Sequence, residues 1–264
     1  FSAPFAIHAT FFSLQVAIAL VYLVSVLVRG QLRLVYKAAC LAGILLLTAG
    51  IIQLGSKAVL IATLLTINIV FPLLLVQRKR AISYVLFTAS VSAILIAFTL
   101  NVSSFKARYY TEMKSDLSQP ATDEISDPRL ARWEAALKLF KHKPVFGYGS
   151  GTELTILENE YFSEKLYSSY LNKLNAHNQY ISFMLTSGCM GLLFYLATLL
   201  AGFAAAVIRK DFMLFAFILL IGVVSLSESL LNAEKGVFFY GLFFSLLVYS
   251  IPRQLNRPYI KNFF

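Results

Sequence analysis

The stretch KLNAHNQYISFMLTSGCMGLL, residues 173–193, decides how the chain is read, because it opens in a charged segment and closes in an apolar one. Residues 178–208 contain no Asp, Glu, Lys or Arg. At a rise of about 1.5 Å per residue, roughly 20 such residues cross about 30 Å of hydrocarbon. His177 stands at the boundary, so its chemistry depends on where the chain places it.

The rest of the sequence repeats this alternation. Uncharged runs occupy residues 1–28, 38–56, 58–77, 81–105, 178–208, 212–227 and 236–252. Five reach a spanning length and the last two are short. With 58% hydrophobic and 14% charged residues and a mean hydropathy of +0.72, the composition excludes an ordinary soluble domain. The expected fold is all-α: a polytopic membrane protein of about seven transmembrane helices with one large extracytoplasmic loop. Phe1 lies already inside apolar sequence, with no initiating Met and no basic segment before a cleavage site. A missing N-terminal portion is therefore expected.

Charge sets the orientation. The formal net charge of +10 resides in short clusters between apolar runs: Arg29/Arg33/Lys37, Arg78/Lys79/Arg80, Arg209/Lys210 and Arg253/Arg257/Lys261. Placing these clusters in the cytoplasm puts residues 102–176 outside, as the positive-inside rule requires. Nucleic acid is not an expected partner, because the basic residues form no continuous stripe. The expected organisation is four spans in 1–101, a periplasmic loop subdomain in 102–176, three spans in 177–252 and a cytoplasmic tail in 253–264.

A connection this long calls for structure of its own. DPRLARWEAALKLFKHKP, residues 127–144, has Asp and Pro at its start, apolar residues at helical intervals, lysines near its end and Pro144 as a stop. It predicts an amphipathic helix lying on the outer membrane surface. GYGSG at 147–151 reads as a glycine-rich turn, and ENEYFSEKLYSSYLNKL at 158–174 as a second helical piece whose tyrosines suit the interface. Cys40 and Cys189 lie in apolar surroundings and read as packing residues.

Few polar positions could carry chemistry. Lys57, in LGSKAVL between two spans, either snorkels at an outer turn or contacts an anion. Arg129 and Trp133 are four apart and share a helical face, from which Arg132 is displaced. A guanidinium can hold phosphate through a bidentate fork, and it can equally anchor a helix at the interface. Glu228, at the end of an apolar run, could orient a His or Arg or contact sugar hydroxyls, whereas Glu234 beside Lys235 reads as a surface pair. His177 has three readings: a residue flanking a helix start, a hydrogen bonder that positions a ligand, or a general base. His8, His142 and His177 are far apart in sequence, no HExxH or cysteine pair occurs, and neither a metal nor a cofactor is expected.

Taken in order, FAIHATFFSLQ (5–15), LGSKAVL (54–60), PRLARWEAALKLFKHKPVFGYGSG (128–151), NAHNQYISFMLTSGCMGLLFY (175–195) and SESLLNAEKG (227–236) resemble the O-antigen ligase family, which includes related polysaccharide polymerases. The resemblance implies a multi-pass glycosyltransferase of the bacterial inner membrane with a GT-C-like architecture and no metal requirement. It implies a donor glycan on a polyprenyl diphosphate, undecaprenyl diphosphate being the expected carrier. The implied acceptor is lipid A-core for a ligase, or a further repeat unit for a polymerase. On this resemblance Arg129 is the principal donor-binding arginine and His177 the acceptor-activating residue. Lys57 stands where related sequences often have arginine and is implied to bind the donor diphosphate with Arg129, Arg132 is a secondary substrate-binding position, and Glu228 is a further one. A transporter or binding protein for lipid-linked glycans, using the same cations without transfer, is the reading from a different class.

Overall fold

A computed structural model describes residues 8–76, 78–116 and 127–250. The expected tail at 253–264, with its basic cluster, lies outside the described residues. So do the first residues of FAIHATFFSLQ. Among the described residues there is helix and loop and no strand.

Four long helices come first: α1 (Ala9–Arg29), α2 (Leu34–Leu54), α3 (Lys57–Leu75) and α4 (Arg78–Asn101). Short helical pieces follow at Ser103–Lys106, Ala107–Thr111 and Glu112–Asp116. Beyond them lie α5 (Arg129–His142), α6 (Glu153–Ser163), α7 (Tyr167–Leu171), α8 (Gln179–Arg209), α9 (Phe212–Val224) and α10 (Glu234–Tyr249). Among the described residues five helices, α1 to α4 and α8, are long and apolar enough to cross a membrane. With 13 residues in α9 and 16 in α10, the last two uncharged runs give shorter helices. The expected helical piece at 158–174 divides instead into α6, which starts earlier at Glu153, and α7, with Lys165 at φ 61° between them.

The chain forms two compact units: residues 1–95, 202–221 and 238–264 make the first, and 96–201 with 222–237 the second. In the first unit α1 packs against α2 and α3. Val21, Val70, Phe71, Phe212 and Ala216 are buried together there, with the Phe71 ring stacked on Tyr84 and edge-on to Phe212. α3 contains a π-helical turn, Thr66–Val70. Such a turn loosens the helical hydrogen-bond ladder, and Tyr84 Oη donates to Ile67 O at 3.3 Å within it. Asn68 Nδ2 donates to Ser92 Oγ of α4 at 3.1 Å. Leu34, Leu73, Ile82 and Phe87 are exposed on α2, α3 and α4. Lipid tails are as apolar as these side chains, so the faces suit a hydrocarbon surround.

The second unit is built on α5, α6 and α7 around Ala131, Ala135, Ala136, Leu157, Tyr161, Ala176 and Leu185, all buried. The start of α8 joins this core, and there the helix is broken. Gly188 has φ 65° and ψ −161°, a region essentially confined to glycine. In an unbroken helix Cys189 N would donate to Leu185 O and Met190 N to Thr186 O. Here Leu185 O and Thr186 O accept instead from Tyr148 N and Gly149 N, at 2.8 Å each, while Cys189 N turns to Pro144 O at 2.8 Å and Met190 N to Val145 O at 3.4 Å. Residues 144–149 are thus inserted into the break and take up these four backbone groups. Non-helical backbone at membrane depth is tolerated where protein meets its hydrogen-bonding needs in this way. The GYGSG segment begins within this insert and is more than a turn. The space is tight: a Cβ on Gly147 would lie 2.5 Å from Leu185 O, and one on Gly188 2.2 Å from Val145 O.

Candidate functional site

The site grows from the start of α8. Asn178 caps the helix, its Oδ1 accepting from Tyr180 N at 3.0 Å and Ile181 N at 3.2 Å, which satisfies two of the donors that a helix start leaves open. Just before the cap, His177 has φ 47°. A residue with a β-carbon adopts that left-handed conformation only where its surroundings impose it. Ala176, fully buried, is held at both backbone groups: its N donates to Glu153 Oε1 at 3.2 Å and its O accepts from Trp133 Nε1 at 2.8 Å. His177 N donates to Asn175 Oδ1 at 3.0 Å. Held from both sides, the backbone presents the imidazole at a fixed point.

The loop between α9 and α10 is tied to the same helix start. Gln179 N donates to Ser225 O at 2.8 Å and Asn178 Nδ2 to Leu226 O at 3.2 Å. Leu231 N donates to Gln179 Oε1 at 2.6 Å. These bonds bring Glu228 to His177, with Nδ1 and Oε2 3.4 Å apart and both side chains part-exposed. From α5, Arg129 Nη1 donates to Ser227 O at 3.2 Å. Arg129, His177 and Glu228, taken from three separated stretches of sequence, therefore meet in one place within the second unit.

Arg132, one position round the helix from Trp133, is buried at 5% exposure. Burial pushes the Tyr161 phenol well above its ordinary range, with the Arg132 charge opposing that rise and Glu153 and Asp127 adding to it. Arg132 thus belongs to a charged group inside the second unit. Asp127 secures the same region by accepting from Ser169 N at 2.6 Å. Lys57 is the first residue of α3, after the turn at Gly55 and Ser56, and belongs to the first unit. Glu234 is exposed at the start of α10. Among the described residues no group of three or more His, Cys, Asp or Glu is placed to hold a metal ion.

A family model described as O-antigen ligase matches residues 42–196, more than half of the chain. The chain belongs to the O-antigen ligase family. A comparison with curated proteins found no match. Family membership and the apolar helices make it a multi-pass membrane enzyme of the O-antigen ligase and polymerase type, acting in polysaccharide biosynthesis on lipid-linked glycans. In this O-antigen ligase family protein Lys57, Arg129, Arg132 and His177 fall inside the matched residues, and Glu228 falls beyond them.

Two parts of the site lay outside the sequence reading. Glu153 is 4% exposed and its Oε2 accepts from Asn232 Nδ2 at 2.7 Å and from Ser182 Oγ. The fully buried Gln179 links Leu231 to Asn232, donating to Asn232 Oδ1 at 3.3 Å. In sequence Glu153 is one acid among several in the loop. The available signal was positional: an acid at a helix start after a glycine-rich turn.

Proposed function

We propose that the protein is an O-antigen ligase that transfers a glycan from undecaprenyl diphosphate to lipid A-core on the periplasmic side of the bacterial inner membrane. The observation that carries this reading is the convergence of Arg129, His177 and Glu228. Glu228 accepts the Nδ1 proton of His177, which leaves Nε2 as the lone pair facing the acceptor. The acceptor hydroxyl gives its proton to Nε2 and its oxygen bonds to the anomeric carbon. The bond from that carbon to the diphosphate oxygen breaks as the new one forms. Lipid diphosphate departs with its charge offset by the Arg129 guanidinium, while the Glu228 carboxylate offsets the charge gained by His177.

In this reading Arg132 supports the helix that carries Arg129, and Lys57 is an anion contact at the start of α3. The short α9 and α10 complete seven spans in a GT-C-like arrangement. The basic clusters face the cytoplasm, and the amphipathic α5 lies against the outer leaflet.

The decisive experiment combines the full-length protein in sealed membranes with a chemically defined lipid-diphosphate glycan and candidate acceptors. A covalent product with stoichiometric release of lipid diphosphate supports transfer. Movement of the glycan across the membrane without covalent change supports a transporter instead. Consumption of lipid A-core identifies a ligase, and consumption of repeat units a polymerase. In the same assay Arg129→Ala is expected to raise the donor KM by roughly ten- to a hundredfold, since charge-assisted hydrogen bonds contribute about 1.5–3 kcal/mol. An unchanged donor KM would remove Arg129 from the donor site. Arg129 supplies the positive charge that the leaving group needs, so turnover is expected to survive EDTA; restoration of an EDTA-lost activity by a divalent ion would overturn the metal-free reading.

A further inference from the structure

We infer that Glu153 is a positioning residue, the group that sets where His177 stands relative to the loop carrying Glu228. Both of its carboxylate oxygens are engaged, and its three donors come from three places. Ala176 N belongs to the residue immediately before His177, Ser182 Oγ to the first turn of α8, and Asn232 Nδ2 to the loop four residues beyond Glu228. Ser182 and Asn232 also bond each other, Asn232 Nδ2 donating to Ser182 Oγ at 2.9 Å. Glu153 itself is anchored at the start of α6, whose next two turns place Leu157 and Tyr161 in the core at 0% exposure.

The chemistry explains why the residue is an acid. A carboxylate accepts at both oxygens, and a buried one persists only when donors surround it. Glutamine in its place could still accept from Ala176 N but would turn an NH2 toward the NH2 of Asn232. Rotating Asn232 would relieve that clash only by turning its NH2 toward Gln179 Nε2, which now donates to Asn232 Oδ1. Asn232 Nδ2 loses its carboxylate acceptor and is left with Ser182 Oγ, 2.9 Å away, so the link between His177 and the Glu228 loop loosens. Exchanging the two groups removes the conflict: in the Glu153→Gln/Asn232→Asp double variant the new carboxylate at 232 accepts from the new amide, from Ser182 and from Gln179.

This inference rests on the proposed roles of His177 and Glu228, and two readouts separate its fate from theirs. Hydrogen exchange in membranes is expected to quicken over 174–182 and 228–234 in Glu153→Gln, to stay unchanged over 129–142, and to return to normal in the double variant. In the transfer assay Glu153→Gln is expected to lower kcat on the order of tenfold, the scale of a small misplacement, with a smaller change in donor KM and recovery in the double variant. Wild-type exchange in Glu153→Gln overturns the inference. So does a double variant that folds but recovers neither exchange nor kcat, including where the single variant fails to fold. If the wild-type protein transfers no glycan, the proposed function falls while the exchange measurements still decide whether Glu153 positions His177.

Discussion

Replacing His177 by alanine is expected to lower single-turnover glycan transfer by roughly 10² to 10⁴, the contribution of a positioned general base, while donor binding stays close to wild type. Donor affinity is assigned to Arg129, which comes from α5 and bonds to Ser227 rather than to the imidazole. The fold should survive, because the His177 side chain is 29% exposed and its contact with Glu228 is 3.4 Å long. The backbone around it is fixed by Glu153, Trp133 and Asn175, none of which needs the ring. Alanine alone does not separate proton transfer from positioning, so His177→Asn is the informative companion. Asparagine tolerates a positive φ better than most residues and can hydrogen-bond an acceptor hydroxyl, but it cannot take up the proton. Equal losses in both variants support the base. Near-normal transfer by His177→Asn would make His177 an orienting residue, and near-normal transfer by His177→Ala would remove it from the mechanism.

How much of this site could be read in advance depends on which physical signal each residue leaves in the sequence. A membrane span excludes charge over its whole length, so the runs that became α1, α2, α3, α4 and α8 were legible within about four residues of their ends, the start of α1 at Ala9 excepted. The shared face of Arg129 and Trp133 followed from helical spacing, and in the structure both side chains bond to loops at the site, Arg129 to Ser227 and Trp133 to Ala176. Periodicity says nothing about what a helix packs against, however. Arg132 therefore read as a second cation for the substrate, and its burial near Tyr161, Glu153 and Asp127 had no signature. Glu153 was hidden for the same reason, since its partners lie 23 to 79 residues away. The break at Gly188 was harder still. A helical interruption satisfied by another segment looks in sequence like any glycine in an apolar run.

That break carries the largest expected effect on folding. Gly188→Ala is expected to destabilise the second unit by about 3–6 kcal/mol, combining the strain of a glycine-only backbone region with the weakening of four hydrogen bonds. The added Cβ would lie 2.2 Å from Val145 O, 2.3 Å from Val145 C and 2.6 Å from Phe146 N. All three are backbone atoms of the inserted segment, so no side chain can swing aside to make room. Expelling the insert would let the helix regain its missing bonds, but it strips Pro144 O and Val145 O of their donors and Tyr148 N and Gly149 N of their acceptors. Domains are stable by about 5–15 kcal/mol in all, so a loss of this size removes a large share of that margin. Thermal unfolding in detergent should show a lowered midpoint, and hydrogen exchange should quicken first over 144–149 and 185–190. Glycan transfer should fall with it, because Leu185 sits in the same core as Ala176, one residue from His177. Gly191→Ala, later in α8 and at a position without positive φ, tests whether any added methyl group in this helix has the same result. Its Cβ would approach the Ser187 side chain, at 2.3 Å from Cβ, rather than the insert. Exchange in residues 144–149 should stay slow there, and equal opening of that segment in both variants would count against the insert as the origin of the effect.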